Sequence, residues 1–231
     1  MFEDDYPDPG VAGRSARRES ERRRERRLQG MPRRSGFSRL IAVLVGPSAQ
    51  EKRKVAEEKH WVIGAEGEEL LAKSLARRCP DAVLLHDRQM PTGRANIDHI
   101  AIVSSGVYVI DTKRYRGKVA GANPLFGSPK LTINGRDRTK LIIGLDRQVA
   151  AIRSVLGALT TDVPVHGCLC FVVPTGLLAD SGIPLLRTLK INGYPLYYPR
   201  RLARRLNGNG SLTPDQIGHI RDHLAASLPP A

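Results

Sequence analysis

The run Asn96-Ile-Asp98-His-Ile-Ala-Ile-Val-Ser-Ser-Gly106-Val-Tyr-Val-Ile-Asp111-Thr-Lys113-Arg-Tyr-Arg-Gly-Lys118 decides how this chain reads. Its two Ile- and Val-rich stretches flank Ser104-Ser105-Gly106, the pattern of a β-hairpin. Asp98, Asp111 and Lys113 interrupt those apolar stretches. A charge buried in a strand is costly unless it is paired or holds a metal. Side chains alternate along a strand, so Asp111 and Lys113 share a face. A two-residue turn at Ser105-Gly106 pairs Ile100 with Asp111 and Asp98 with Lys113, which puts all three charges on one face. A three-residue loop would pair Asp98 with Thr112 and turn it away. The first register, or one restored by a bulge, is the expectation, because it gives Asp98 a partner.

Upstream, Ala65 to Cys79 reads as a helix whose apolar stripe is Leu71, Ala72, Leu75 and Ala76. Glu68 falls within that stripe, whereas Glu66 and Glu69 project elsewhere. Either it is an acid near a helix start that stays wet and favours the macrodipole, or it belongs to a site. Ser48 to His60 reads as a separate charged helix, Ala82 to His86 as a short strand, and Met90 to Arg94 as a loop. Downstream, Lys130 to Asn134 is a short strand. Lys140 to Leu159 is a helix with the stripe Leu141, Leu145, Val149, Ile152, Leu156 and Leu159. Gln148 lies at the edge of that stripe, either a core amide bonded to backbone or a site residue. Val165 to Val173 is apolar enough for a buried strand. His166, Cys168 and Cys170 alternate on one face of it. Same-face neighbours on a strand rarely converge on one tetrahedral ion and no fourth ligand is signalled, so the two cysteines read as buried strand residues rather than zinc ligands. Tyr194 to Tyr198 is a further strand and Pro199 to Leu206 a basic helix. A capping box, Thr213 to Gln216, opens the last helix.

The formal charge of +14 is unevenly spread. Residues 1–13 carry four acids and no base, while residues 14–39 carry eleven Arg and three Glu. Such a balance points to a polyanion partner, most simply nucleic acid, against the alternative of a positive surface that only aids solubility. Arg22, Arg23, Arg24, Arg114, Arg116, Arg200 and Arg201 are the candidate phosphate contacts. Residues 1–39 read as a disordered arm, acidic and then Arg-rich, with little to bury. Arg17 to Arg27 could form a helix on a phosphate backbone or stay solvated, and Leu40 to Val45 could dock as a strand or meet a partner. Three cysteines form no disulfide framework and no zinc spacing. With no apolar stretch long enough to span a bilayer and no signal-peptide pattern, the expected location is cytoplasmic.

Hydrolysing a phosphodiester needs an activated water, neutralised charge at phosphorus and a stabilised leaving oxygen. Clustered carboxylates can hold Mg²⁺, and a neighbouring Lys can orient the water and offset charge. Asp98, Asp111 and Lys113 supply those parts. The pattern resembles the PD-(D/E)xK nuclease superfamily. Gly64-Ala-Glu-Gly67-Glu68, Asn96-Ile-Asp98-His99, Gly106-Val-Tyr-Val-Ile-Asp111-Thr-Lys113 and Tyr115-Arg-Gly117 resemble more closely the nuclease-related domain, NERD. The resemblance covers about Gly64 to Leu159. It implies an α/β fold, a mixed sheet flanked by helices in a restriction-endonuclease-like core with the site at one edge. It also implies Mg²⁺ or Mn²⁺ held by Asp98, Asp111, the Thr112 carbonyl and Glu68, with Lys113 positioning the water and Gln148 as the polar residue of the following helix. Asp111 stands where the NERD pattern more often has Glu, which bears on metal choice and rate.

The expected division is a disordered basic arm (1–39), a linker and charged helix (40–63), a nuclease-related domain (64–206) and a capped C-terminal helix (207–231). The expected activity is metal-dependent DNA hydrolysis. Two rivals stand beside it: a non-catalytic nucleic-acid-binding module of the same fold, and a metal-free scaffold in which Asp98 and Lys113 form a structural salt bridge.

Overall fold

The hairpin forms, but two residues away from the expected register. In the computed structural model, which describes residues 6–29, 48–93, 95–115, 117–122, 129–173 and 188–231, strand β2 (Asn96–Val103) pairs antiparallel with β3 (Gly106–Lys113) through Ile100–Val109 and Val103–Gly106. The turn is therefore Ser104-Ser105, and Asp98 does not lie across from Lys113. Gly106 is the physical reason. It sits at φ 124°, and a Cβ there would lie 2.4 Å from the Pro164 carbonyl oxygen. That glycine is taken up by the close approach of the segment leading into a later strand, and so is unavailable to the turn.

The hairpin lies inside a six-stranded mixed sheet. β1 (Val83–Gln89) extends it antiparallel on one side. On the other, β7 (Val165–Phe171) runs parallel to β3, followed by β9 (Tyr194–Tyr197) and β8 (Leu189–Ile191). β4 (Val119–Ala122), β5 (Lys130–Ile133) and β6 (Arg136–Asp137) form a separate small sheet. The parallel β3–β7 pair needs a long crossover, and helix α3 (Lys140–Leu156) lies on it, burying Leu145, Val149 and Ile152 against Ile100, Ile102, Val107 and Val109. The C-terminal helix α5 (Pro214–Ser227), opened by the expected Thr213–Gln216 capping box, adds Ile220 and Leu224 to the same layer. This is the α/β fold read from the sequence, a mixed sheet with helices on both faces.

The opposite face carries α2 (Ala49–Arg78) and α4 (Pro199–Leu206). Leu71 and Leu75 of α2 pack with Ala101, Val103, Tyr108, Ile110, Cys168 and Cys170. Each of those leucines is fully buried, which stabilises the fold by about 2 kcal/mol apiece. The two helices expected over 48–60 and 65–79 are one. Ser48 and Glu51 close a capping box, and the chain then runs unbroken through Gly64, which costs a helix interior only about 1 kcal/mol. All three cysteines are free and buried, Cys168 and Cys170 as expected for β7 and Cys79 at the end of α2.

Part of the stretch expected as a disordered arm is ordered. Arg14–Gln29 is a helix, α1, packed on α2. Arg17 pairs with Glu69, Arg23 with Glu57 at 2.9 Å and Arg27 with Glu58 at 2.7 Å, so the two helices run antiparallel. Ala16 is the buried apolar residue of α1. A compositional reading weighs what a segment can bury; here order comes from glutamates of α2 that complement the arginines. Leu40 to Val45 lies outside the described residues. The free edge of β1 is covered too, as an exposed edge strand generally must be: His86 N–H donates to Pro9 O at 2.7 Å and Gln89 N–H to Pro229 O at 3.0 Å.

Between β1 and β2, His86 and His99 meet through their Nδ1 atoms at 2.8 Å. One must donate and the other accept, so the accepting ring at least is neutral. Burial first, and then Arg88, lowers His86 to about 4; burial also holds His99 well below its usual value. Between about pH 6.5 and pH 4 the unfolded chain therefore takes up a proton that folded His86 refuses. Stability from this group is complete above pH 6.5 and is lost as pH falls toward 4, by about 2 kcal/mol. Urea unfolding at pH 7 and pH 4.5 should show that loss in the wild type and a smaller one in His86→Gln. Identical losses would remove His86 as the cause.

Candidate active site

Past the His99–Ile110 pair the β2–β3 ladder stops, and a carboxylate takes its place. Asp98 Oδ2 accepts the Thr112 backbone N–H at 2.7 Å. Ile97, Ile100 and Ile102 bury in one cluster while Ala101 and Val103 bury in the other. The three-residue step from Ile97 to Ile100 breaks the alternation at Asp98-His99 and turns Asp98 toward α2. There it lines a pocket of about 810 Å³ with Glu68, Thr112 and Lys113, bounded by Ala16, Arg114 and Tyr115. Glu68 arrives on α2 one turn before the buried Leu71, so the apolar stripe that packs the helix also aims its acid.

Lys113 bridges two oxygens. Its Nζ donates to Asp111 Oδ1 at 2.8 Å and to Thr112 O at 3.0 Å. The side chains of Lys113 and Asp111 are 19% and 10% exposed, so this ion pair is largely shielded from solvent. The expected Asp98–Lys113 pairing is thus replaced by Asp111–Lys113, and Asp111 lies beside the pocket wall rather than on it. Burial pulls the ammonium down, but Asp111 and then Asp98 outweigh it and hold Lys113 above its ordinary value. Burial raises Asp98, and Asp111 adds to the rise against the opposing pull of Lys113 and the Thr112 N–H. Glu68 is raised first by burial, then by Asp98 and Asp87; Lys113 and a backbone hydrogen bond from Gly13 oppose this. Three acids crowd one cation, and the pocket favours added positive charge.

Among the described residues, no three His, Cys, Asp or Glu side chains close on one point as a metal cage. The donor set nevertheless fits a hard cation: carboxylates and a backbone carbonyl. The Lys113 ammonium already contacts two of those oxygens, Asp111 Oδ1 and Thr112 O, and so marks a place where positive charge is stable.

Gln148 is not in this pocket. It is buried on α3, gives Nε2 to Asn96 O at 3.2 Å, and lines a separate cavity with Met90, Gly93 and Arg147. Its Oε1 is buried without a partner among the described residues. Arg114 pairs with Glu66 at the pocket rim. Arg22 and Arg24 are exposed on α1, whereas Arg23 lies between Glu19 and Glu57 and over Trp61. Arg200 and Arg201 open α4, directly after β9, whose Tyr197 pairs with Cys170, the partner of Thr112 in β3. The far end of α4 is held to the end of α2, where Asn207 donates to Arg78 O at 2.8 Å. Arg116 lies outside the described residues.

Two contributors were missed. Asp87 is 2% exposed, adopts φ 48° within β1, and falls opposite Asp98 between the pairs His86–His99 and Arg88–Ile97. Ser15 of α1 binds it. A charge interrupting an apolar stretch was the signal that found Asp98, but ending the β1 strand at His86 left Asp87 outside it. Nothing local marks Ser15, which matters only through a partner 72 residues away.

Residues 63–172 match the family model described as the nuclease-related domain, NERD. An uncharacterized protein of Bacillus anthracis is 34% identical over 87 residues, which is 36% of this chain and 39% of that protein. The chain therefore matches about two fifths of that relative's length. No solved structure matches. Among the described residues, no helix is long and apolar enough to cross a membrane.

Proposed function

We propose that this chain, which carries a nuclease-related domain over residues 63–172, is a metal-dependent nuclease that hydrolyses DNA at the pocket between α2 and the parted ends of β2 and β3. The observation that carries the reading is the convergence of Glu68, Asp98, Thr112 and Lys113 on one wall, with the Lys113 ammonium seated on Asp111 and Thr112 oxygens. Asp98, Asp111, Glu68 and the Thr112 carbonyl would hold Mg²⁺ or Mn²⁺. When bound, such an ion supplies Lewis-acid charge neutralisation and a more acidic water.

The protein's own groups do the rest. Thr112 N–H fixes the Asp98 carboxylate, so its free oxygen keeps one direction. Lys113 stays protonated between its acids, which makes it an orienting and charge-offsetting group rather than a base. Nucleic acid is the partner class that fits a basic chain with a nuclease-related domain.

The test is cleavage of supercoiled, linear and single-stranded DNA with Mg²⁺ or Mn²⁺, wild type against Asp98→Asn. The variant keeps the shape and the Thr112 contact but removes the charge, and its rate should fall about a hundredfold or more. Equal rates would place the activity elsewhere. The rival is a binding module without cleavage, favoured by the Asp111–Lys113 pair already satisfying its own charges. It predicts steeply salt-dependent DNA affinity and no cleavage with either metal.

A further inference from the structure

The segment before α2 is built into the pocket, and Asp87 builds it in. Both Asp87 oxygens are committed to Ser15: Oδ2 accepts the backbone N–H at 2.6 Å and Oδ1 accepts the hydroxyl at 2.7 Å. Oδ1 also accepts Asn96 Nδ2 at 3.1 Å. A carboxylate that is 2% exposed, bound only by neutral donors and held on a left-handed backbone, is costly to keep. Such cost persists where neighbouring contacts over-determine the geometry, and here they do. Arg88 donates to Asp8 O, Gly10 N–H to Asp8 Oδ1 at 2.8 Å, and His86 N–H to Pro9 O at 2.7 Å. Gly13, at φ 76°, lies so close to α2 that a Cβ would meet Ala65 O at 2.9 Å. Ala12, one residue earlier, and Ala16, three residues later, are buried, and Ala16 forms part of the pocket wall.

We propose that Asp87 is a positioning residue: by gripping Ser15 it makes the Gly13–Ala16 turn a fixed wall of the acidic pocket and seats that turn against Glu68. The segment is then part of the catalytic unit, although the matched nuclease-related stretch begins only at residue 63. α1 beyond Ala16 is held differently, by ion pairs along α2, and contributes no such wall. The consequence for rate rests on the nuclease reading; the placement of Gly13 does not.

The experiment uses the full chain with Asp87→Asn, Ser15→Ala and Ser15→Thr. Asp87→Asn turns an acceptor into a donor facing Ser15, and should slow single-turnover cleavage about tenfold while DNA affinity changes less than twofold. Ser15→Ala should slow it about threefold, and Ser15→Thr, which keeps the hydroxyl, should stay within twofold of wild type. In parallel, the Gly13 amide proton and Glu68 carboxyl carbon are followed by NMR without DNA or metal. Both signals should move in Asp87→Asn and Ser15→Ala and stay in Ser15→Thr, with Gly13 amide exchange about tenfold faster in the first. If Asp87→Asn does not fold, Ser15→Ala carries the same readouts. Unmoved Gly13 and Glu68 signals would overturn the inference, as would lost DNA affinity with an unchanged rate. A wild type silent with every metal overturns the nuclease reading instead, and the NMR signals then decide the inference alone.

Discussion

Lys113→Ala is expected to reduce metal-dependent DNA cleavage by about a thousandfold, because in the proposed mechanism it removes both the water-orienting group and the charge that offsets the phosphate. It should not weaken metal binding. Lys113 Nζ occupies Asp111 Oδ1 and Thr112 O, two oxygens offered to a divalent ion, and removing it leaves both open. Mn²⁺ titration by calorimetry should therefore give equal or tighter binding in the variant, alongside the lost cleavage. Lys113→Arg should not restore the rate, since a planar fork cannot replace a compact ammonium between two oxygens at 2.8 and 3.0 Å. Loss of metal binding together with loss of cleavage would make Lys113 a structural support for the acids, and the proposed division of labour would fall.

The largest effect on stability is expected at Arg88. It is 1% exposed, yet among the described residues no carboxylate bonds to it and its buried Nε has no partner; it gives one nitrogen to Leu228 O at 3.1 Å and another to Asp8 O. Burial lowers its pKa, with Asp8 opposing. Arg88→Ala opens a cavity and strands two carbonyls, one on each covering segment of β1. The expected cost is about 3 kcal/mol, or a melting temperature lower by about 10 °C. Arg88→Met fills the volume without a buried charge and should cost about half as much. If Arg88→Ala unfolds within about 0.5 kcal/mol of wild type, the side chain bears no such load.

What could be read in the chain, and what could not, separates along physical lines. The hairpin, the crossover helix and the last helix were legible because apolar periodicity and capping are local signals: Leu145, Val149 and Ile152 lie where the stripe put them. Glu68 and Asp98 were found as charges on apolar faces, and the structure brings both to one pocket with Lys113. The same argument selected Gln148, but periodicity gives a direction from one helix axis only. Gln148 points from α3 to Asn96 O and a different cavity. The register was missed because Gly106 was read as a turn residue, when its requirement comes from Pro164, 58 positions later. The packing of α1 on α2 was missed for the same kind of reason. Arg23 and Arg27 become ordered through Glu57 and Glu58, and complementarity across a chain is invisible in the composition of one segment.

The α1–α2 pairs also change what the arginines offer to a polyanion. Arg17, Arg23 and Arg27 already face Glu69, Glu57 and Glu58. Counterion release drives much of the affinity of basic proteins for DNA. A phosphate that takes one of these arginines sets a glutamate free, and that glutamate gathers a cation of its own. The net release of ions from such an exchange is near zero, so the entropy of dilution that ordinarily favours binding is absent on this face. The formal charge of +14 already counts each such pair as zero; it is the eleven arginines of residues 14–39 that overstate the cations this helix offers to a phosphate.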